Sequence, residues 1–343
     1  MRKGFSITEL MVALGVMAVA FLITSTIFKI SVDTQRTAHA TAEVMRKFRA
    51  ITDQLNTDLA GLREDGEVFV AWVPADVNRL GDQDVDEDFD GDGYARFDRI
   101  MFFADGDFQS YNEGPKTSGG TKIARGNIAR ICYMLARTDD GSIAQMQQRK
   151  KRVLARTQHI MTADEELEDF FAGVGGFSDQ DWVQWNNHYE YDRMTIGDWK
   201  NLGRLGVAEV KDDMFTTISG VRVNDSNVMP IGAQVNDGEP NSIHMLLCDG
   251  VGEFEVQLWS DSLRRWVPAV DPNNDGDLAD TDFRNSGGTV ILDSNEVLGA
   301  WYDGMGNLTG YLGRAMKFTF TLYDSRRVLK NGKTFTHIVY LDD

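Results

Sequence analysis

The chain has 343 residues, 42% of them apolar, enough for a membrane anchor and a packed core and too many for a disordered chain. Its 53 acidic against 35 basic residues leave a net charge of −18, which argues against a nucleic-acid-binding face. The same charge suits an extracytoplasmic or cation-binding protein, and equally one that is merely soluble.

The first element is a helix. Arg2 and Lys3 precede a stretch from Leu10 to Phe28 with no charged residue. At about 1.5 Å per residue that stretch approaches the roughly 30 Å of a bilayer's hydrocarbon core. The basic residues ahead of it predict a cytoplasmic N-terminus and a translocated body. Glu9 is the one acid at the head of this run, in a place where a carboxylate costs about 2.5–3.5 kcal/mol to insert. The N-terminal end of a helix dipole would tolerate it. Beyond the apolar run, Val44, Phe48, Ile51, Leu55, Leu59 and Leu62 recur at helical spacing, with Arg46, Lys47, Arg49 and Asp53 between them. No proline occurs before Pro74. One continuous helix from about Phe5 to about Leu59 is therefore expected, with residues 5–30 in lipid and 31–62 packed on a globular body that occupies 63–343.

That body reads as β-rich. Strands are expected at 67–73, 96–105, 127–137 and 151–160, then in "SIHMLLCDG", "EFEVQLWS", "TVILDS", "GRAMKFTFTLYDS" and "HIVYLDD". Cys132 and Cys248 fall in two of them. Two cysteines are too few for a disulfide framework, so they read as buried thiols or as one mutual disulfide. The segment from about 139 to 240 reads as a loop-rich insertion. "ADEELEDFFAGVGGF" within it predicts a short helix ending at glycines. Its tryptophans Trp182, Trp185 and Trp199 are either local core or a contact face for a partner.

Two Asp-rich stretches suggest calcium. The first places Asp86, Asp88 and Asp90 at alternate positions before Gly91, followed by Asp92 and, thirteen positions from the start, Asp98. The second places Asp271, Asn273 and Asp275 before Gly276, with Asp277 next and Asp282 at the twelfth position. Calcium takes six to eight oxygens, and an EF-hand-type loop supplies them with this spacing and a glycine for the sharp turn. The alternative is that Asp, Asn and Gly only form solvated turns. No catalytic spacing stands out: the histidines lack a metal-site partner, and there is no nucleophile elbow or phosphate loop, so an enzyme is not expected.

"KGFSITELMVALGVMAV" resembles the processing signal of type IV prepilins: a short basic leader ending in Gly, then Phe, then an acid at the fifth mature position. The resemblance implies that residues 1–4 are a leader. A prepilin peptidase of the inner membrane would cut after Gly4, and Phe5 would become an N-methylated first residue. Glu9 would pair with the Phe5 amine of a neighbouring subunit during assembly, each charge removing the other's desolvation cost. "GNIARICYMLAR", "CDGVGEFEVQLWSDSLRRWVP" and "GRAMKFTFTLYDS" resemble, more loosely, the minor pseudopilins of the J type in type II secretion and the related W-type minor pilins. The fold implied is α+β and pilin-like, a long N-terminal helix followed by an antiparallel sheet domain. The function implied is structural: insertion in the inner membrane, then incorporation with other pilins or pseudopilins, at the tip, into a filament whose assembly the chain helps initiate. A rival reading is a calcium-stabilised adhesin or substrate-binding module displayed on the filament. A weaker one is a single-span protein that is never cleaved.

Overall fold

The structure, a computed structural model, describes residues 6–63, 66–71, 74–76, 94–96, 98–138, 152–169, 190–202, 234–235, 246–261, 264–267, 297–302, 308–310, 313–326 and 328–341. Helix α1 runs unbroken over Ile7–Ala60. Ser6 caps it, and Glu9 closes a capping box: the Ser6 side chain accepts the Thr8 N–H at 3.2 Å and Glu9 Oε2 accepts the Ser6 N–H at 3.0 Å. The helix stops at Gly61, where any side chain would run into the backbone carbonyl of Asp105.

The strands are β1 (Val68–Ala71), β2 (Pro74–Asp76), β3 (Tyr94–Arg96), β4 (Arg99–Pro115), β5 (Thr121–Thr138), β6 (Val153–Met161), β7 (Tyr191–Asp192), β8 (Gln234–Val235), β9 (Leu246–Asp249), β10 (Val251–Ser260), β11 (Arg265–Val267), β12 (Val297–Tyr302), β13 (Leu308–Gly310), β14 (Ala315–Leu322) and β15 (Lys333–Tyr340). A short helix, α2, covers Ile196–Leu202. A nine-stranded sheet has the order β13-β12-β1-β4-β5-β6-β7, with β8 beside β5 and β9 beside β6. A four-stranded antiparallel sheet has the order β11-β10-β14-β15, and β2 pairs with β3. The class is α+β, as the sequence implies.

One core joins the outer half of α1 to both larger sheets. Val44, Ile51 and Leu55 are fully buried against residues such as Phe102, Ile131 and Phe320. Full burial of one such aliphatic side chain contributes about 1.5–3 kcal/mol, so the stripe holds the body firmly on the helix. Packing begins at Ala40. Residues 33–39 are exposed, so the polar stretch between the apolar run and the body is a free helical stalk rather than part of the packed half expected from residue 31.

Two other local expectations meet a different outcome. The helix expected from Ala163 does not form over 163–169. Asp164 Oδ1 instead accepts the Glu166 N–H at 3.1 Å in a turn, and Leu167 forms a single bridge to Lys116. Among the described residues the helix of this region is α2, opened by a box in which Asp198 Oδ2 accepts the Thr195 N–H at 2.9 Å and Thr195 Oγ1 accepts the Asp198 N–H at 3.2 Å. The strands expected at 96–105 and 127–137 are the ends of one long hairpin, β4–β5. Its register shifts twice along the way, and the buried Glu190 carboxylate accepts the Tyr111 and Asn112 N–H groups at 2.7 and 3.1 Å beside the second shift. "TVILDS" lies outside the described residues.

Candidate functional site

The inner half of α1 is the most unusual surface of the molecule. Ile7, Met11, Val12, Phe21, Leu22 and Phe28 are 67–78% exposed, and the apolar window of the helix buries none of its residues inside the chain. Nothing in the described domain covers it. Thr24 and Thr26 fold their hydroxyls back onto the Ala20 and Leu22 carbonyls, each at 2.9 Å, and so show no unsatisfied donor there. The helix is long and apolar enough to cross a membrane.

Glu9 sits at the head of that surface as the cap described above. It is exposed, and of its two oxygens Oε2 is the one that accepts the Ser6 N–H. A Ser-x-x-Glu box immediately before an apolar run was readable in the sequence as a helix start. It gives Glu9 a local role that the dipole reading only approximates. Gly4 and Phe5 lie outside the described residues.

Two polar clamps hold the body on the outer half. At the neck, Lys47 Nζ donates to the Asp249 and Tyr323 carbonyls, both at 3.1 Å, and forms an ion pair with Asp249 Oδ1 at 3.2 Å. One turn earlier, Glu43 accepts the Ser325 N–H at 2.9 Å and its hydroxyl at 3.1 Å. At the far end, Asp58 is 4% exposed and takes a fork from Arg156, Nε to Oδ2 at 2.6 Å and Nη2 to Oδ1 at 2.8 Å. Tyr133 also donates to Oδ2. Burial and then the Asp58 charge push the Tyr133 phenol well above its usual range, so it remains a donor. Burial works against the Arg156 charge, but the Asp58 hydrogen bonds outweigh it and the guanidinium is held above its ordinary value.

The opposite face of the nine-stranded sheet carries a second buried polar group. Trp199 of α2 is 1% exposed, packs edge-on to Phe103 at 5.4 Å and donates its indole N–H to Glu67. The Arg130 guanidinium lies 5.6 Å from the centre of its ring and 3.5 Å from Asp192. Burial lowers the Arg130 pKa and raises that of Asp192, each opposed by the other's charge. Burial also pushes the thiol of Cys132 up to about 12. Cys132 and Cys248 are both free and buried. Of the two readings of the tryptophans, Trp199 occupies the packed one; Trp182 and Trp185 lie outside the described residues.

Of the calcium candidates, Asp98 alone is described. It is fully buried, its Oδ2 accepts the Val256 N–H at 2.8 Å and its own N–H donates to Phe254 O at 2.9 Å, so it stitches the start of β4 to β10. The ligand positions 86–92 and 271–282 lie outside the described residues.

These features define a class by layout: a long N-terminal apolar helix, exposed over its inner half, followed by a β-sheet domain, which is the pilin-like arrangement. No protein-family model matches the chain, and no curated protein or solved structure matches it either.

Proposed function

We propose that the chain is a structural subunit of a type IV pilin-like filament, a minor pseudopilin of type II secretion or a minor pilin. It is held in the inner membrane by residues 5–30 with its body outside, and enters the filament near the tip with other pilin-like subunits. The observation that carries this reading is the wholly exposed apolar half of α1, headed by Glu9 four residues after Phe5 and five after Gly4. Cleavage after Gly4 would place an ammonium on Phe5. In a bundle of such helices the Glu9 carboxylate meets a neighbour's ammonium, and pairing the two charges fixes the axial register.

Substitution separates this role from capping. Glu9→Gln keeps the acceptor that closes the capping box but removes the charge. The expected result is a chain that is membrane-bound, cleaved and folded, yet absent from sheared filaments or unable to support secretion. Normal incorporation of Glu9→Gln would reduce Glu9 to a cap and remove the pairing mechanism.

Calcium at the two Asp-rich stretches is a separate proposal that rests on their spacing alone.

A further inference from the structure

The four-stranded sheet ends on both sides in a strand that has no further neighbour among the described residues. One edge, β15, is long and regular: Lys333 to Tyr340 pair with β14 without a register shift. The Leu341 N–H donates to Arg314 O at 2.7 Å. By the alternation of an antiparallel ladder, Val339, His337 and Phe335 turn their backbone groups toward β14, while Tyr340, Ile338, Thr336 and Thr334 turn theirs outward. These outward residues also have the exposed side chains, Tyr340 at 76% and Ile338 at 39%. Soluble proteins guard such an edge with proline, lysine or a bulge, and Thr334–Tyr340 has none of them.

The orientation of the sheet decides what fits there. Phe335 stacks on Phe48 at 4.6 Å and His337, further along, binds Asn56 at 2.8 Å, so β15 climbs in the same sense as α1. The sheet is antiparallel throughout, so its other edge, β11, descends. The cross-strand row Val267–Leu258–Met316–Val339 sets the two edges at one height. A step higher, Trp266 stands on one edge and Tyr340 on the other. Higher still, Arg265 and the exposed Arg264 stand on the β11 side, and on the β15 side Leu341 leads in sequence to Asp342 and Asp343.

We propose that β15 of one copy pairs antiparallel with β11 of a second copy standing the same way up in the same membrane, joining the four-stranded sheets edge to edge. The open backbone groups of β15 gain partners and Tyr340 meets Trp266 of the neighbouring copy; its Arg264–Arg265 pair comes to the end of β15, beyond which the sequence continues with two acids. Antiparallel pairing of β15 with its own image would instead turn one α1 end over end, which two anchors in one membrane forbid. The contact is heterologous, so it propagates from copy to copy. It rests on the reading of α1 as an anchor.

The test uses the full chain in isolated membranes. Arg265→Cys and Tyr340→Cys are introduced together and treated with a short bis-maleimide; Cys132 and Cys248 are buried and stay silent. The double variant gives a ladder of dimer, trimer and higher species, each single variant stays monomeric, and the two singles expressed together stop at dimer. Ile338→Lys, an exposed charge on the open edge, abolishes the ladder while leaving the melting temperature of the chain unchanged. A double variant that stays monomeric in the membrane fraction overturns the edge contact alone. Dimers from Tyr340→Cys by itself overturn it in favour of a two-fold pairing. Loss of the chain from membranes on alkaline washing overturns the anchor and the shared orientation with it.

Discussion

Asp58 carries the joint between α1 and the larger sheet, because its two oxygens hold Arg156 and Tyr133 and also accept the Gln54 amide at 3.0 Å. Asp58→Ala leaves a largely buried guanidinium, 14% exposed, without its counter-charge. A loss of about 3–5 kcal/mol is expected, read as a lower urea midpoint for the full chain in detergent. A double variant with Arg156→Met should lose less than the sum of the single changes, since it buries no orphaned charge. None of this was readable in advance. Nothing in the sequence marks Asp58 and Arg156, 98 residues apart, as partners. Only the crossing of α1 over β5 and β6 brings them together. Glu9 was the reverse case: its helix-start box was fully local and therefore legible from four consecutive residues.

At the scale of elements, α1 is clamped to the smaller sheet where His337 meets Asn56, with the Phe48–Phe335 stack on the same strand. Partial burial lowers the His337 pKa from its usual 6.5. A depressed histidine contributes stability that is fully present above the unfolded value and lost as the pH falls through the folded one. The melting temperature of the chain should therefore fall from pH 7.5 to pH 5, and His337→Gln should flatten that part of the profile. A profile unchanged by the substitution would mean the imidazole is not the titrating group. On the face of the larger sheet away from α1, Trp199→Ala empties the space between Phe103 and Arg130 and removes the indole N–H that Glu67 accepts, for an expected loss of about 3–5 kcal/mol by chemical denaturation. Elements with strong periodicity, such as the α1 stripe and the alternating β14, were plain in the sequence. The β4–β5 hairpin was seen only at its apolar ends, because its middle is polar and held by a carboxylate from 190. α2 was hidden in an aromatic-rich stretch whose Thr195–Asp198 box was the available signal.

At the scale of the whole molecule, helix α1 is a rod of two natures. Its inner half buries no side chain, its outer half is the spine of a β domain, and a short polar stalk separates them. That division was legible because hydropathy and helical period are properties of sequence alone. The packing of α2 against Phe103 was not, since it depends on contacts between distant segments. The calcium proposal belongs to this scale too. If the Asp-rich stretches bind the ion, calorimetric titration of the full chain shows saturable heat at millimolar calcium and the melting temperature rises with concentration; heat of dilution alone removes the proposal. The reading as a whole turns on the N-terminus created at the head of α1. Intact-mass spectrometry of the chain from membranes of cells with a working prepilin peptidase measures it directly. The account predicts a chain that begins at Phe5 and carries one methyl group on its amine, whereas a chain still carrying Met1 to Gly4 would contradict it.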